Sequence, residues 1–236
     1  MRSNDPISSA AVAAIQTGDV AALTSVILAH PEIVNARIDG QRTLLHVATD
    51  WPGNYPNGAE IVAALIASGA DVNSRFIGKH SETPLHWAAS CDDIAVIDVL
   101  LNHGADIEAD GAVIGGGTPL ADAVAFGQWQ AARKLVARGA ATTLWQAAAL
   151  GLMPQVSQHF TKNPAPPDAE ITKAFWCACH GGQQEAALYL ASRGADINWI
   201  GYDGLSPLDA ARRSEAAAGM VEWLLEIGAR PAAQKS

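Results

Sequence analysis

The sequence predicts an all-α repeat solenoid, a stack of about seven helix pairs joined by β-turn fingers. Three observations carry that prediction. Of 236 residues, 47 are alanine, and 49% are hydrophobic while only 6% are aromatic, which favours helices packed at close range over a thick sandwich of sheets. A Gly-Ala dipeptide recurs at Gly69, Gly104, Gly139, Gly194 and Gly228, at steps of 35, 35, 55 and 34 residues. A second landmark lies upstream of most of them: Thr43-Leu44-Leu45-His46, Thr83-Pro84-Leu85-His86, Thr118-Pro119-Leu120 and Ser206-Pro207-Leu208.

Each landmark has a physical reason. Thr or Ser before Pro suits a helix N-cap followed by the first helical turn, and Gly after an apolar run suits a left-handed C-cap. The alanine pairs, such as Ala88-Ala89, let two helices approach closely. These residues resemble the ankyrin repeat, whose unit is a β-turn followed by two antiparallel helices. The resemblance implies a chain of stacked units with a concave face of turn tips and inner helices, used by such proteins to hold other proteins.

Read in order, residues 8–38 form an N-terminal cap around Gly18-Asp19. Internal units follow at 39–74, 75–109, 110–140, 141–165 and 166–199, and a C-terminal unit at 200–231, all within one domain spanning 1–236. The 55-residue step holds two pairs, opening at Leu144-Trp145 and Phe175-Trp176, with both tryptophans in the place of His86. Only two residues separate Ala140 from Thr143, so one finger is missing near residue 141. The tail from 232 to 236 is expected to fray. In the second unit, Asp50-Trp51-Pro52-Gly53-Asn54-Tyr55 inserts about five residues relative to the repeat. That loop is similar to one in a group of bacterial ankyrin proteins.

Fifteen Lys and Arg against 24 Asp and Glu give a net charge of −9, which argues against nucleic acid and anionic membrane surfaces. No apolar run reaches the roughly 20 residues of a spanning helix, and no signal peptide is legible. Three cysteines, Cys91, Cys177 and Cys179, make no disulfide framework, so the cytoplasm is the expected compartment and the chain is expected to be a monomer. The charge is uneven: residues 39–110 hold 11 acidic and 3 basic residues, and no Lys or Arg occurs from 80 to 130. Such a field either solubilises the scaffold or steers a basic partner.

Repeat position places Asp50, Trp51, Ser90, Cys91, Phe126 and His180 toward the concave face, with turn tips at 76–80, 113–116 and 199–203, the last carrying Tyr202. Trp51 and Tyr55 sit in the inserted loop, where a ring either anchors a partner or folds back onto a helix. Trp51 and Trp87 are expected to line an aromatic pocket with Asp50, Asp92 and Asp93 at its rim, and Asp122 further along. His46 and His86 read as structural. Cys177 and Cys179 point some 160° apart on a helix and cannot share a metal ion. No nucleophile or phosphate-binding motif is present, so no cofactor and no catalysis are expected.

The leading reading is therefore a non-enzymatic module that binds a basic or cationic protein segment. Its partner-binding residues are Asp50, Trp51, Tyr55, Trp87, Ser90, Asp92, Asp93, Asp122, His180 and Tyr202. The alternative is a small-molecule-binding or catalytic pocket at the irregular units around Trp87, Asp122, Trp145 and Trp176.

Overall fold

The computed structural model describes residues 1–161, 164–214 and 218–232; residues 233–236 of the tail expected to fray lie outside the described residues. The described residues are helical, with no strand and one isolated antiparallel bridge between Ile38 and Arg42. The chain divides into two compact units, Met1–Ala140 and Ala141–Ser236, at the place where the sequence lacks a finger.

The first unit holds four helix pairs: α1 (Pro6–Thr17) with α2 (Val20–Ala29), α3 (Leu44–Thr49) with α4 (Gly58–Ala67), α5 (Pro84–Ser90) with α6 (Ile94–Asn102), and α7 (Pro119–Ala125) with α8 (Trp129–Ala137). The first helices of the pairs pack in series, α1 on α3 on α5 on α7, and the second helices form a parallel layer from α2 to α8. Small side chains permit this: Ala48, Ala88, Ala89, Ala121 and Ala123 are buried at the inner-helix contacts, and the outer helices contribute Leu23, Leu65, Leu100 and Leu135 to the core. The second unit holds α9 (Leu144–Ala149) with α10 (Met153–His159), α11 (Asp168–His180) with α12 (Gln184–Ala191), and α13 (Pro207–Arg213) with α14 (Ala218–Glu226). Its core gathers around Phe175, Leu144, Val156, Leu190, Leu208 and Leu224.

The Gly-Ala dipeptide closes the outer helices as its chemistry requires. Gly69 adopts φ +93° and Gly139 φ +101°, a left-handed geometry that an L side chain resists. The next amide then turns back on the helix, Ala70 to the Leu65 carbonyl at 3.0 Å and Ala140 to that of Leu135 at 3.0 Å. A second device links one repeat to the next. Asn73 Nδ2 donates to the Gly104 carbonyl at 3.1 Å while its Oδ1 accepts from the Asp106 amide at 2.8 Å. Asn35 does the same to Gly69 and Asp71 in the first unit, and Asn198 to Gly228 and Arg230 in the second.

Connection length separates regular from irregular repeats. The links 68–83 and 103–118 are long enough for a finger, whereas 138–143 is short, in line with the missing finger. The α10–α11 link, 160–167, is short too, because α11 begins early and takes the residues into a helix of 13. Counted back from the left-handed residue after the helix, Gly151 or Asp92, Trp145 occupies the place of His86, as the sequence predicts. The capping role has nonetheless moved: Thr143 receives its reciprocal partner from Gln146, whose Oε1 accepts from the Thr143 amide at 2.8 Å. One residue fewer between cap and turn accounts for the displacement.

Asn73→Ala removes two inter-repeat hydrogen bonds, each worth about 1 kcal/mol. The expected result is a loss of about 1–2 kcal/mol in urea unfolding followed by circular dichroism; unchanged stability would show that the ladder holds nothing.

Candidate functional site

The inner helices of the first unit begin with a buried Thr-His cap that reaches beyond its own repeat. The Thr43 amide donates to His46 Nδ1 at 3.3 Å, which leaves Nε2 as the protonated nitrogen, and Nε2 meets the Glu82 carbonyl at 3.1 Å. His86 repeats the pattern with Thr83 and the Gly117 carbonyl. Burial pushes His46 down to about 4, and His86 also falls below its ordinary value because of burial. Both histidines are structural, as their repeat position implies.

The same Glu82 carbonyl also accepts from the Phe76 amide at 2.8 Å, so the residue is gripped by its backbone. Its side chain turns inward and is only 6% exposed. Trp87 Nε1 donates to Oε2 at 2.7 Å, the Val113 amide donates to Oε1 at 2.7 Å, and His80 Nδ1 lies 3.1 Å from Oε2. Around it the rings of Phe76 and His80 stack at 4.5 Å, and Trp87 lies tilted on Phe76 at 5.6 Å and edge-on to His46 at 5.0 Å.

Asp122 is fully buried on α7, and neither carboxyl oxygen accepts a well-formed hydrogen bond. Burial raises its pKa to about 8, and the adjacent Glu82 carboxylate pushes it the same way. Both causes favour the neutral form of Asp122 beside the Glu82 carboxylate.

In front of this pair lies an open groove of about 500 Å³, lined by Asp50, Trp51, His80, Glu82, Trp87, Ser90, Cys91, Val113, Phe126 and Gln128. Trp51 is 80% exposed at its mouth, and Phe126 is 49% exposed. The loop presenting Trp51 is clamped on both sides. Asn57 Nδ2 donates to the Gly18 carbonyl at 2.9 Å, the Asn54 amide donates to Asp93 Oδ2 at 3.0 Å, and Asn54 Nδ2 donates to the Cys91 carbonyl at 3.1 Å. Gly53 lets the loop sit so close: with φ +70°, a Cβ there would lie 2.5 Å from that of Cys91. Asp50 is half-buried and holds Arg42 at 2.5 Å.

Four of the ten expected partner-binding residues, Asp50, Trp51, Trp87 and Ser90, thus meet in one groove together with Cys91 and Phe126, and Asp122 is buried beside Glu82. Asp92 and Asp93 do not line its rim. Asp93 is buried as the N-cap of α6, its Oδ1 accepting from the Val96 amide at 3.2 Å. Asp92 adopts φ +54° and caps α8 through the Ala131 amide at 2.6 Å. Tyr55 is half-buried with its phenol hydrogen-bonded to Gln16 of α1. His80 and Val113 belong to the turn tips expected at 76–80 and 113–116, whereas Glu82 and Gln128 are lining residues that the sequence reading did not place there. Only a carboxylate directly before Thr83-Pro84 could have flagged Glu82.

His180 and Tyr202 belong to the second unit, where both rings lie against Trp176, at 5.4 Å and 5.2 Å. Trp176 is buried and its Nε1 donates to the Leu205 carbonyl at 2.9 Å. Trp145 is half-buried under the Lys173 ammonium, 5.0 Å from the ring centre. Cys177 and Cys179 are buried free thiols, raised to about 12 in the first case by burial. Among the described residues no group of His, Cys, Asp and Glu could hold a metal ion, and no helix is long and apolar enough to cross a membrane.

Comparison with known proteins agrees with the architecture. Residues 57–145 match the family model for ankyrin repeats, in three copies. The chain is 51% identical to RelA-associated inhibitor of Mus musculus over 67 residues, 28% of this chain and 7% of that protein. It is 34% identical to palmitoyltransferase AKR1 of Lachancea kluyveri over 102 residues, 43% of this chain and 13% of that protein. It therefore spans only a small part of these relatives' length. The crystal structure of the human ASB11 ankyrin repeat domain superposes with a TM-score of 0.56 at 22% identity, covering 97% of this chain and 100% of that one.

Asp122→Asn isolates the buried proton. A carboxyl whose folded pKa is raised contributes stability that is complete below its ordinary value near 4 and is lost as pH rises toward about 8. Wild type should therefore lose stability relative to Asp122→Asn by up to about 1.4 kcal/mol per pH unit over that window, read from urea midpoints. The His46 contribution, lost instead as pH falls below 6.5 toward about 4, cancels in the comparison. A difference that does not vary with pH would mean Asp122 is ionised in the folded chain.

Proposed function

We propose that this ankyrin-repeat protein is a non-enzymatic interaction module whose groove in residues 1–140 holds a basic segment of a partner protein. The observation that carries the reading is the juxtaposition of Trp51, Trp87 and Phe126 with Asp50 and Glu82 around about 500 Å³ of open space. Exposed rings beside carboxylates are the chemistry that receives an alkylammonium or guanidinium group. The surrounding charge has the right sign, since residues 1–140 carry 15 acidic and 8 basic residues. Asp50 and Glu82 are already engaged by Arg42 and by Trp87 and Val113, so they serve as a fixed field rather than as free side chains.

The family context supports the protein-binding class. Repeat folds specify shape and leave the partner to exposed residues, and the mouse relative is named for its association with RelA. Three free thiols suit a reducing compartment, and the reading includes a cytoplasmic monomer. The alternative of a small-molecule pocket draws on residues of both units, Trp87 and Asp122 in one and Trp145 and Trp176 in the other, and no further observation favours it.

Selection from a random peptide display library tests the proposal. Enriched peptides should carry Lys or Arg beside an apolar residue, and their Kd should rise at least tenfold between 50 and 500 mM salt. Trp51→Ala, at a ring with little burial, should weaken them about tenfold or more without shifting the melting temperature. Enrichment of acidic peptides, or indifference to Trp51→Ala, would refute it.

A further inference from the structure

The groove has a buried floor that a simple acidic patch would lack. Glu82 lines the groove and is 6% exposed, while Asp122 lies fully buried against it without a well-formed donor to either oxygen. Glu82 accepts from the Val113 amide of the third finger, and Asp122 lies on α7, the helix that this finger leads into. A carboxyl pair in this position has two ways to be neutralised: by a proton shared between the two groups, or by a cation arriving from the groove.

We infer that the groove is a proton-coupled cation site, in which a guanidinium or ammonium group seated between Trp51 and Trp87 against Glu82 displaces the proton held between Glu82 and Asp122. The inference rests on the groove being the binding surface, and adds to it the ligand group and its linkage to pH. The exchange balances: the cation brings one positive charge, Asp122 loses its proton to solvent, and the pair changes from one negative charge to two. Binding therefore strengthens as pH rises through the range in which Asp122 ionises. The raised pKa of Asp122 supports this direction.

Other groups facing the pair also titrate or bear charge. His80 stands 3.1 Å from Glu82 on its own finger, His46 on α3 and His86 on α5 contact the finger backbone, and Arg75 and Asp110 act on His86 from the finger bases. Arg42 and Asp50 hold the rim as an ion pair. These groups also set the field that a cation meets in the groove, so the comparison with Asp122→Asn separates Asp122 from them.

Octa-arginine amide serves as the probe, titrated calorimetrically at pH 7 in two buffers of different ionisation enthalpy. Wild type should release up to one proton more per peptide bound at the groove than Asp122→Asn does, and its Kd should fall up to tenfold more between pH 6.5 and 7.5. Equal proton release and parallel pH profiles would overturn the inference while leaving the groove as a binding surface. Binding that is absent, or indifferent to Trp51→Ala, would overturn both. Should Asp122→Asn fold poorly, the ¹³C shift of the Asp122 carboxyl in wild type gives the same decision: it should move from the protonated to the ionised range on addition of the peptide, and an unmoved shift would contradict the inference.

Discussion

Glu82 is held from both ends, and the geometry of the first unit's groove depends on that grip. Its carbonyl accepts from the His46 imidazole of the preceding repeat and from the Phe76 amide of its own finger, while its carboxylate accepts from the Trp87 indole and the Val113 amide of the next. A buried carboxylate is costly unless its lone pairs are filled, and its own repeat and the next fill them while the preceding repeat holds its backbone carbonyl. The Thr-His cap, in many readings only a helix-starting device, is here the beam that sets the floor of the groove. Charge-assisted bonds of 2.7 Å fix the Trp87 ring edge-on to His46, and the Trp51 loop then closes the other wall.

Much of the fold was legible because it follows from local chemistry repeated at a fixed period. Thr-Pro-Leu-His and Gly-Ala each solve a helix-terminus problem, and the solutions recur in the structure at the positions that bear them, from Thr83 and His86 to Gly69 and Gly139. The helix pairs and the missing finger came from the same spacing. The shift of capping from Trp145 to Gln146 was less visible, since a one-residue deletion inside a short helix leaves the alanine run after it unchanged.

The candidate site was only partly legible. Exposed rings in a loop that cannot enter the core, such as Trp51, declare themselves by context. Carboxylates do not, because the same side chain can face solvent, cap a helix or be buried against another acid. Asp92 and Asp93 read as a rim and turn out to cap α8 and α6, although Gly18-Asp19, which opens α2 with the same Asp cap, held the clue. Glu82 and Asp122 lie 40 residues apart in sequence, and only the stacking of adjacent repeats brings them together.

A crystal structure of the chain with a display-selected basic peptide would show where the cationic side chain sits. It should place one Lys or Arg side chain between the rings of Trp51 and Trp87, its cationic end within hydrogen-bond reach of Glu82. A peptide seated on the outer helices or on the Trp176 and Tyr202 rings of the second unit, with the groove empty, would contradict the account.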